Sequence, residues 1–244
     1  MVIFISLVLF YHFYTDIRGA YAVLFLSRKK RMRYMEKIAA DTARAFFRCG
    51  KLFSRINIIH ENNTISLPEH FIVLSNHQSF IDIFMVLLSF PRIRFVAKKE
   101  LGRHVPAFST VLRYGRHCLI NRYSDFRKTY HTLAVFTRFC ARNRVNPHIF
   151  PEGTRSRNRE LQKFNIGAYR IVQSILMVPT VVLAVDGGWK FSRIIDFIRR
   201  NSVNYKVKIL TVLPAPENKK QISGELERAR TLIAEQLTAW QQEE

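Results

Sequence analysis

From residue 71 onward, short apolar runs alternate with stretches whose apolar residues return every three to four positions, and few folds accommodate that alternation. The runs at 71–75, 93–97, 118–120, 148–150, 178–185 and 205–213 have the length and composition of strands. Helical patterns lie at 81–89, 107–114, 124–142, 166–174, 191–200 and 221–241. Strand and helix in turn predict an α/β fold, a mixed sheet layered with helices. In the last pattern Ile222, Leu226, Ala229, Ile233, Leu237 and Trp240 form one apolar stripe, which a helix docked on the body would bury. At 244 residues the chain is long enough for one such core and a short appendage.

The appendage is N-terminal. Met1 to Thr15 carries no formal charge, and Gly19 to Ser27 resumes the apolar run after Asp16 and Arg18 interrupt it. Neither stretch reaches the roughly 20 residues of a spanning helix. Spanning with both would bury two charges, at about 2.5–3.5 kcal/mol each. A basic cluster follows (Arg28, Lys29, Lys30, Arg31 and Arg33), and none precedes the apolar stretch. That order argues against a secretory signal and predicts a cytoplasmic-side position that attracts anionic headgroups. Tyr34 to Phe47 sets Tyr34, Ile38, Phe46 and Phe47 among charges, the pattern of an interfacial amphipathic helix. The expectation is an N-terminal two-helix motif dipping into one leaflet. A single spanning anchor and packing on the protein's own core are the alternatives. Residues 1–50 are thus expected to be membrane-associating helices and 51–244 the αβ domain, with the boundary in the polar stretch 51–68.

The formal net charge of +21 calls for a polyanionic partner: nucleic acid, an anionic membrane face or phosphorylated substrates. An apolar content of 48% with 20 Phe excludes a disordered basic tail and leans toward lipid. The basic residues are spread along the chain and no nucleic-acid module is recognisable, so nucleic acid is not expected. Cys49, Cys118 and Cys140 are far apart, with no Cys-x-x-Cys or Cys/His cluster, and read as buried thiols in a reducing compartment.

Four short segments carry chemistry. In Leu74-Ser-Asn-His-Gln-Ser-Phe-Ile-Asp82 a strand ends at Ser75 and a helix begins near Ser79. Two readings stand side by side. Ser79-x-x-Asp82 fits a capping box, with Asp82 merely capping and His77 satisfying a loop. Alternatively, the first-turn carboxylate reaches back to one ring nitrogen of His77, fixing the tautomer and leaving the other to take a proton. No Gly-x-Ser-x-Gly elbow is present, so a covalent serine mechanism lacks its usual local signature and the hydroxyl to be activated can be the substrate's own. In Phe150-Pro-Glu-Gly-Thr-Arg-Ser156, Gly153 permits a left-handed backbone whose N–H groups converge on an anion, and Arg155 suits a phosphate. Arg157, Arg159 and Lys163 add charge, with Arg157 and Arg159 fitting a solvated run. In Gly115-Arg-His-Cys-Leu-Ile-Asn-Arg122, Arg122 stands at a strand end, where α/β sheets hold ligands. Val178-Pro-Thr-Val-Val182 reads as core or acyl-chain wall.

Asn76-His-x4-Asp82, Gly115 to Arg122, Phe150 to Ser156 and Val178-Pro179, in this order over about residues 70–185, resemble the glycerolipid acyltransferase family that acylates 1-acylglycerol 3-phosphate. Phe95 to Leu101 and Pro106 resemble it too. Leu119-Ile-Asn-Arg122 departs from the commoner Phe-Ile-Asp-Arg ending but keeps the arginine. The resemblance implies an αβ domain behind a helical membrane motif, no metal or cofactor, and acyl-CoA or acyl-carrier protein as donor substrate. It implies His77 as general base and Asp82 as its partner, with Arg122, Glu152, Gly153, Thr154 and Arg155 binding the acceptor. Expected partners are lysophosphatidate in an anionic leaflet and the acyl thioester, and the product is phosphatidic acid. Backbone N–H groups near Ser79 and Phe80 are the expected oxyanion donors. Another lysophospholipid or amino-lipid acceptor, hydrolysis of the thioester by water, and a non-catalytic basic binding protein are the competing readings.

Overall fold

The structure, a computed structural model, describes residues 2–53, 56–61, 65–103, 108–121, 125–191 and 203–243. Two long helices, α1 (Val2–Phe25) and α2 (Arg28–Phe53), precede strand β1 (Ile56–His60). Then come β2 (Ile72–Ser75), α3 (Ile81–Ser89), β3 (Ile93–Lys98), α4 (Phe108–Tyr114), β4 (Cys118–Ile120) and α5 (Phe126–Asn143). They are followed by β5 (Asn146–Ile149), α6 (Ile166–Leu176), β6 (Thr180–Asp186), β7 (Val203–Leu213) and α7 (Ile222–Gln242).

The strands form one mixed sheet in the order β1-β7-β6-β2-β5-β3-β4, parallel except for the β6–β7 pair. β2 and β6 are buried along their whole length, as strands covered on both faces must be. Their side chains divide with a period of two. Val73, Val181, Leu183 and Val185 face a core with Ala43 and Phe47 of α2 and Ile81, Phe84 and Met85 of α3. Ile72, Leu74, Val182 and Ala184 face the other, built from Leu133, Phe136 and Cys140 of α5, Tyr169 and Val172 of α6, and the stripe of α7. That stripe, Ile222 to Trp240, is buried as its spacing predicts. Val73 pairs with His148 and Leu74 with Ile149, so β2 and β5 deliver the segments after them side by side.

Several boundaries differ from expectation. Ile56–His60 lies in the stretch read as an inter-domain boundary, yet it pairs with β7 as an edge strand. Its alternation is weak because only one side of the strand has a partner, and Ile56 is its one buried residue. The proposed helix at 191–200 lies outside the described residues except for Phe191, which closes a 3-10 turn (Gly188–Phe191). Asp16 and Arg18 do not break α1. Asp16 accepts from Thr110 at 3.0 Å, and Arg18 pairs with Asp41 of α2 at 2.9 Å, so both charges face protein. α2 does not present a free apolar face. Met35 and Ile38 pack beneath α1 and α4, while Ala43 and Phe47 enter the main core. Arg31 is likewise turned inward, donating to the carbonyls of Ala22, Val23 and Leu26 at the end of α1. An exposed apolar stripe runs instead along α1, where Phe10, Phe13, Ile17, Tyr21, Leu24 and Phe25 are exposed at helical spacing. No helix among the described residues is long and apolar enough to cross a membrane.

Candidate active site

The site forms where β2 and β5 end. Asn76, the first residue beyond β2, is buried and completes the sheet with its side chain. Its amide donates to the Val185 carbonyl at 2.8 Å and accepts from the Val185 N–H at 2.9 Å. This two-bond grip holds the following turn against the end of β6. Four residues of turn then lead into α3 at Ile81.

Asp82, in the first turn of α3, has no exposed surface. Its Oδ2 accepts from the backbone N–H of Gln78 at 2.6 Å and of Ser79 at 2.8 Å, and lies 2.8 Å from His77 Nδ1. Capping and contact with His77 are thus the work of one oxygen. Because that oxygen accepts two backbone bonds already, the ring nitrogen is the donor, and Nε2 is left with its lone pair. Asp82 Oδ1 accepts from the Tyr205 hydroxyl at 2.7 Å and, more weakly, from Ser79 Oγ at 3.5 Å. Burial, reinforced by the Asp82 charge, holds the Tyr205 hydroxyl well above its ordinary pKa, so it remains a donor. The N–H of Ser79 is consumed by Asp82, and this removes it from the expected oxyanion donors.

The His77 ring stacks on Phe150 with centroids 3.8 Å apart and planes 18° apart. Its side chain is 15% exposed, enough to present one edge to a ligand. Its backbone is held from both sides by the second segment. The His77 N–H donates to Glu152 Oε1 at 2.6 Å, and the His77 carbonyl accepts from the Ser156 N–H at 2.7 Å. Glu152 Oε2 accepts from the Gln162 N–H at 2.9 Å. Both oxygens of this carboxylate therefore bind backbone. Burial raises its pKa to about 7 against the pull of those two N–H bonds, and the nearby Asp82 charge adds to the rise.

Gly153 has φ +69°, the left-handed backbone that its motif suggests, and its N–H closes a turn onto the Phe150 carbonyl at 3.0 Å. That donor and the Ser156 N–H are therefore not available to an anion. Thr154 and Arg155 are exposed, and neither has a hydrogen bond or ion pair among the described residues. Arg159 is no solvated bystander. It grips the buried Asp186 with Nε at 3.0 Å and Nη2 at 2.5 Å, and Asp186 also accepts from Gln78 Nε2 at 3.1 Å. Arg122 lies outside the described residues. β4, which precedes it, runs parallel to β3 and so ends at the same edge of the sheet as β2 and β5.

Three participants carry no signal in the sequence. Tyr205 comes from β7, in a stretch without motifs. His148 of β5 is fully buried behind His77, with Nε2 2.9 Å from Ser75 Oγ. Burial and the neighbouring His77 push its pKa well below the usual histidine value, so the ring is neutral. Gly188 packs on the turn so closely that a Cβ would lie 2.9 Å from Ser79 Oγ and 3.0 Å from Asp82 Oδ1.

A family model described as Acyltransferase matches residues 55–185, more than half of the chain and both site segments. A 1-acyl-sn-glycerol-3-phosphate acyltransferase of Saccharomyces cerevisiae is 32% identical over 147 residues, 58% of this chain and 48% of that protein. One of Salmonella typhimurium is 28% identical over 146 residues, 59% of this chain and 55% of that protein. The chain therefore matches only about half the length of these curated relatives. The crystal structure of the 1-acyl-sn-glycerophosphate acyltransferase PlsC from Thermotoga maritima superposes with a TM-score of 0.63 at 22% identity, covering 94% of this chain and 95% of that one. That likeness is one of fold. By the family match and by these relatives, this chain belongs to the Acyltransferase family.

Proposed function

We propose that the chain transfers a fatty acyl group from an acyl thioester to the free hydroxyl of 1-acylglycerol 3-phosphate, producing phosphatidic acid. The observation that carries this reading is the His77–Asp82 pair. Asp82 holds Nδ1–H at 2.8 Å, so Nε2 keeps the lone pair of a base on a side chain that is 15% exposed, and the sequence has no Gly-x-Ser-x-Gly nucleophile motif. The relatives named above act, by name, on 1-acyl-sn-glycerol 3-phosphate.

The acceptor's hydroxyl oxygen attacks the thioester carbonyl while His77 Nε2 takes its proton. The tetrahedral intermediate then collapses, the C–S bond breaks, and the imidazolium returns the proton to the leaving thiolate. Asp82 stabilises the imidazolium between those steps. Arg155, exposed and without a partner among the described residues, binds the acceptor phosphate together with Thr154, and Arg122 is assigned to the same phosphate from its motif. Glu152 serves by bracing the His77 backbone, and Gly153 by turning the segment. The exposed apolar stripe of α1 lies in one leaflet at the cytoplasmic face, with Arg28, Lys29 and Lys30 at the headgroups.

The test is acyl transfer in anionic vesicles with labelled acyl-CoA, acyl-carrier protein as the other donor, and a panel of lysolipid acceptors. Diacyl product from lysophosphatidate, lost in His77→Ala, is the expected result. Free fatty acid without diacyl product would assign the site to hydrolysis. Wild-type transfer by His77→Ala would overturn the base.

A further inference from the structure

At the end of the sheet opposite His77, where β3 begins, α2 and the turn after α4 enclose a crevice of about 300 Å³. We propose that this crevice binds a phosphate-bearing anion, at a site separate from the catalytic one. The proposal does not rest on the acyl-transfer reading.

Four cations line the crevice: Arg33 and Lys37 of α2, Arg92 at the turn before β3, and Arg94 within it. Among the described residues, Glu36 is the one carboxylate that lines it. Arg94 is 1% exposed, an extreme position for a guanidinium. Its Nη1 donates to the Ile93 carbonyl and its Nη2 to Glu36, while Nε–H has no acceptor among the described residues. Glu36 thus answers one charge of four. The other three, Arg33, Lys37 and Arg92, are exposed around the crevice, where Arg92 also donates to the Asn143 carbonyl, and a concave surface lined by one sign of charge focuses a positive field that an anion would relieve.

A neutral donor completes the lining. His117 Nδ1 accepts from the Phe95 N–H at 3.0 Å, so the ring proton is on Nε2. Residue 115 beside it is glycine, and a Cβ there would lie 3.1 Å from that Nε2. The missing side chain leaves the N–H uncovered. Guanidinium groups around one ammonium and one imidazole N–H match the several acceptor oxygens and double charge of a phosphate better than a carboxylate. The same chemistry fits free phosphate esters and the headgroup of an anionic lipid.

Amine acetylation of the full chain, read residue by residue by mass spectrometry, tests this locally. The probes are inorganic phosphate against chloride at equal ionic strength, and phosphatidylcholine vesicles with or without phosphatidylglycerol. Lys37 should be protected severalfold by phosphate or by the anionic vesicles, relative to Lys220, which is exposed and outside the crevice. Arg33→Gln and Arg92→Gln, which leave Arg94 in place, should abolish that protection. Protection by inorganic phosphate assigns a soluble ligand, and protection only on anionic vesicles assigns a lipid headgroup. Equal protection of Lys37 and Lys220, protection that survives both substitutions, or none with any probe would overturn the site.

Discussion

The hydroxyl of Tyr205 donates to Asp82 Oδ1 at 2.7 Å, from a strand more than a hundred residues away in sequence. Asp82 needs that donor, because its other partner at Oδ1 is Ser79 Oγ at the long distance of 3.5 Å. Tyr205→Phe would leave a buried carboxylate oxygen nearly unsatisfied, at a cost of about 1–3 kcal/mol. The carboxylate can recover part of this by rotating, which would loosen its hold on His77 Nδ1–H. We expect kcat to fall by about tenfold with the KM of both substrates little changed. Steady-state kinetics check this, and an unchanged kcat would remove Tyr205 from the positioning of Asp82.

Gly188 supports the same turn by having no side chain. In Gly188→Ala the new Cβ meets Ser79 Oγ at 2.9 Å and Asp82 Oδ1 at 3.0 Å, and neither can retreat without breaking the network. Overpacking of this kind costs about 1–3 kcal/mol. Both Tm and kcat should fall. Gly224 is the control, since a Cβ there meets nothing within 4 Å. Gly224→Ala should keep full activity and gain up to about 1 kcal/mol from helix propensity. Thermal melts and transfer assays on the two variants make the comparison.

Arg155 and Arg159 stand four residues apart and should separate cleanly. Arg155 is exposed and has no partner among the described residues, so Arg155→Ala should leave Tm unchanged and raise the acceptor KM by about tenfold, the loss of one charge-assisted contact. A change confined to the donor KM would refute the phosphate assignment. Arg159→Ala strands Asp186, 2% exposed, without its cation. Breaking a buried pair costs about 3–5 kcal/mol, so this variant should show mainly a lowered Tm.

The contrast between these arginines shows where sequence reading stops. Both stand in one basic run, and only the fold reveals that Arg159 meets Asp186, at the end of a strand 27 residues on. Period and length were enough for the sheet and helices because burial on one or both faces writes itself into local pattern. β6 is buried at all seven positions, and α7 buries its predicted stripe. β1 was illegible because an edge strand with one buried residue has little pattern to show. Asp16 and Arg18 looked like interruptions because their partners, Thr110 and Asp41, lie on other elements. His77 and Asp82 could be named together since a turn and the start of a helix place them locally. Tyr205, Gly188 and His148 could not, because their contacts depend on strand order. The two readings of Asp82 also proved compatible: an oxygen accepting two backbone N–H bonds can hold a histidine as well.

Glu152 makes stability depend on pH with a defined sign. Its carboxyl has a pKa of about 7 in the folded chain, raised chiefly by burial from an ordinary value of 4.5. Between those values the folded state keeps a proton that the unfolded state has released. Stability from this group is therefore fully present below pH 4.5 and declines as pH rises to about 7. Above that both states are ionised and the curve is level. The shift corresponds to about 3 kcal/mol at most. Glu152→Gln has no such proton, and it also gives up one of the two backbone N–H bonds, since its amide nitrogen cannot accept. The variant should thus be less active throughout, because the His77 N–H or the Gln162 N–H loses its acceptor. Its Tm deficit relative to wild type should shrink as pH is raised from 5 toward 7 and stay constant beyond. Melting both proteins across that range checks the sign, and a deficit that stays level from pH 5 to 7 would mean the two N–H bonds outweigh burial and Glu152 is ionised throughout that range.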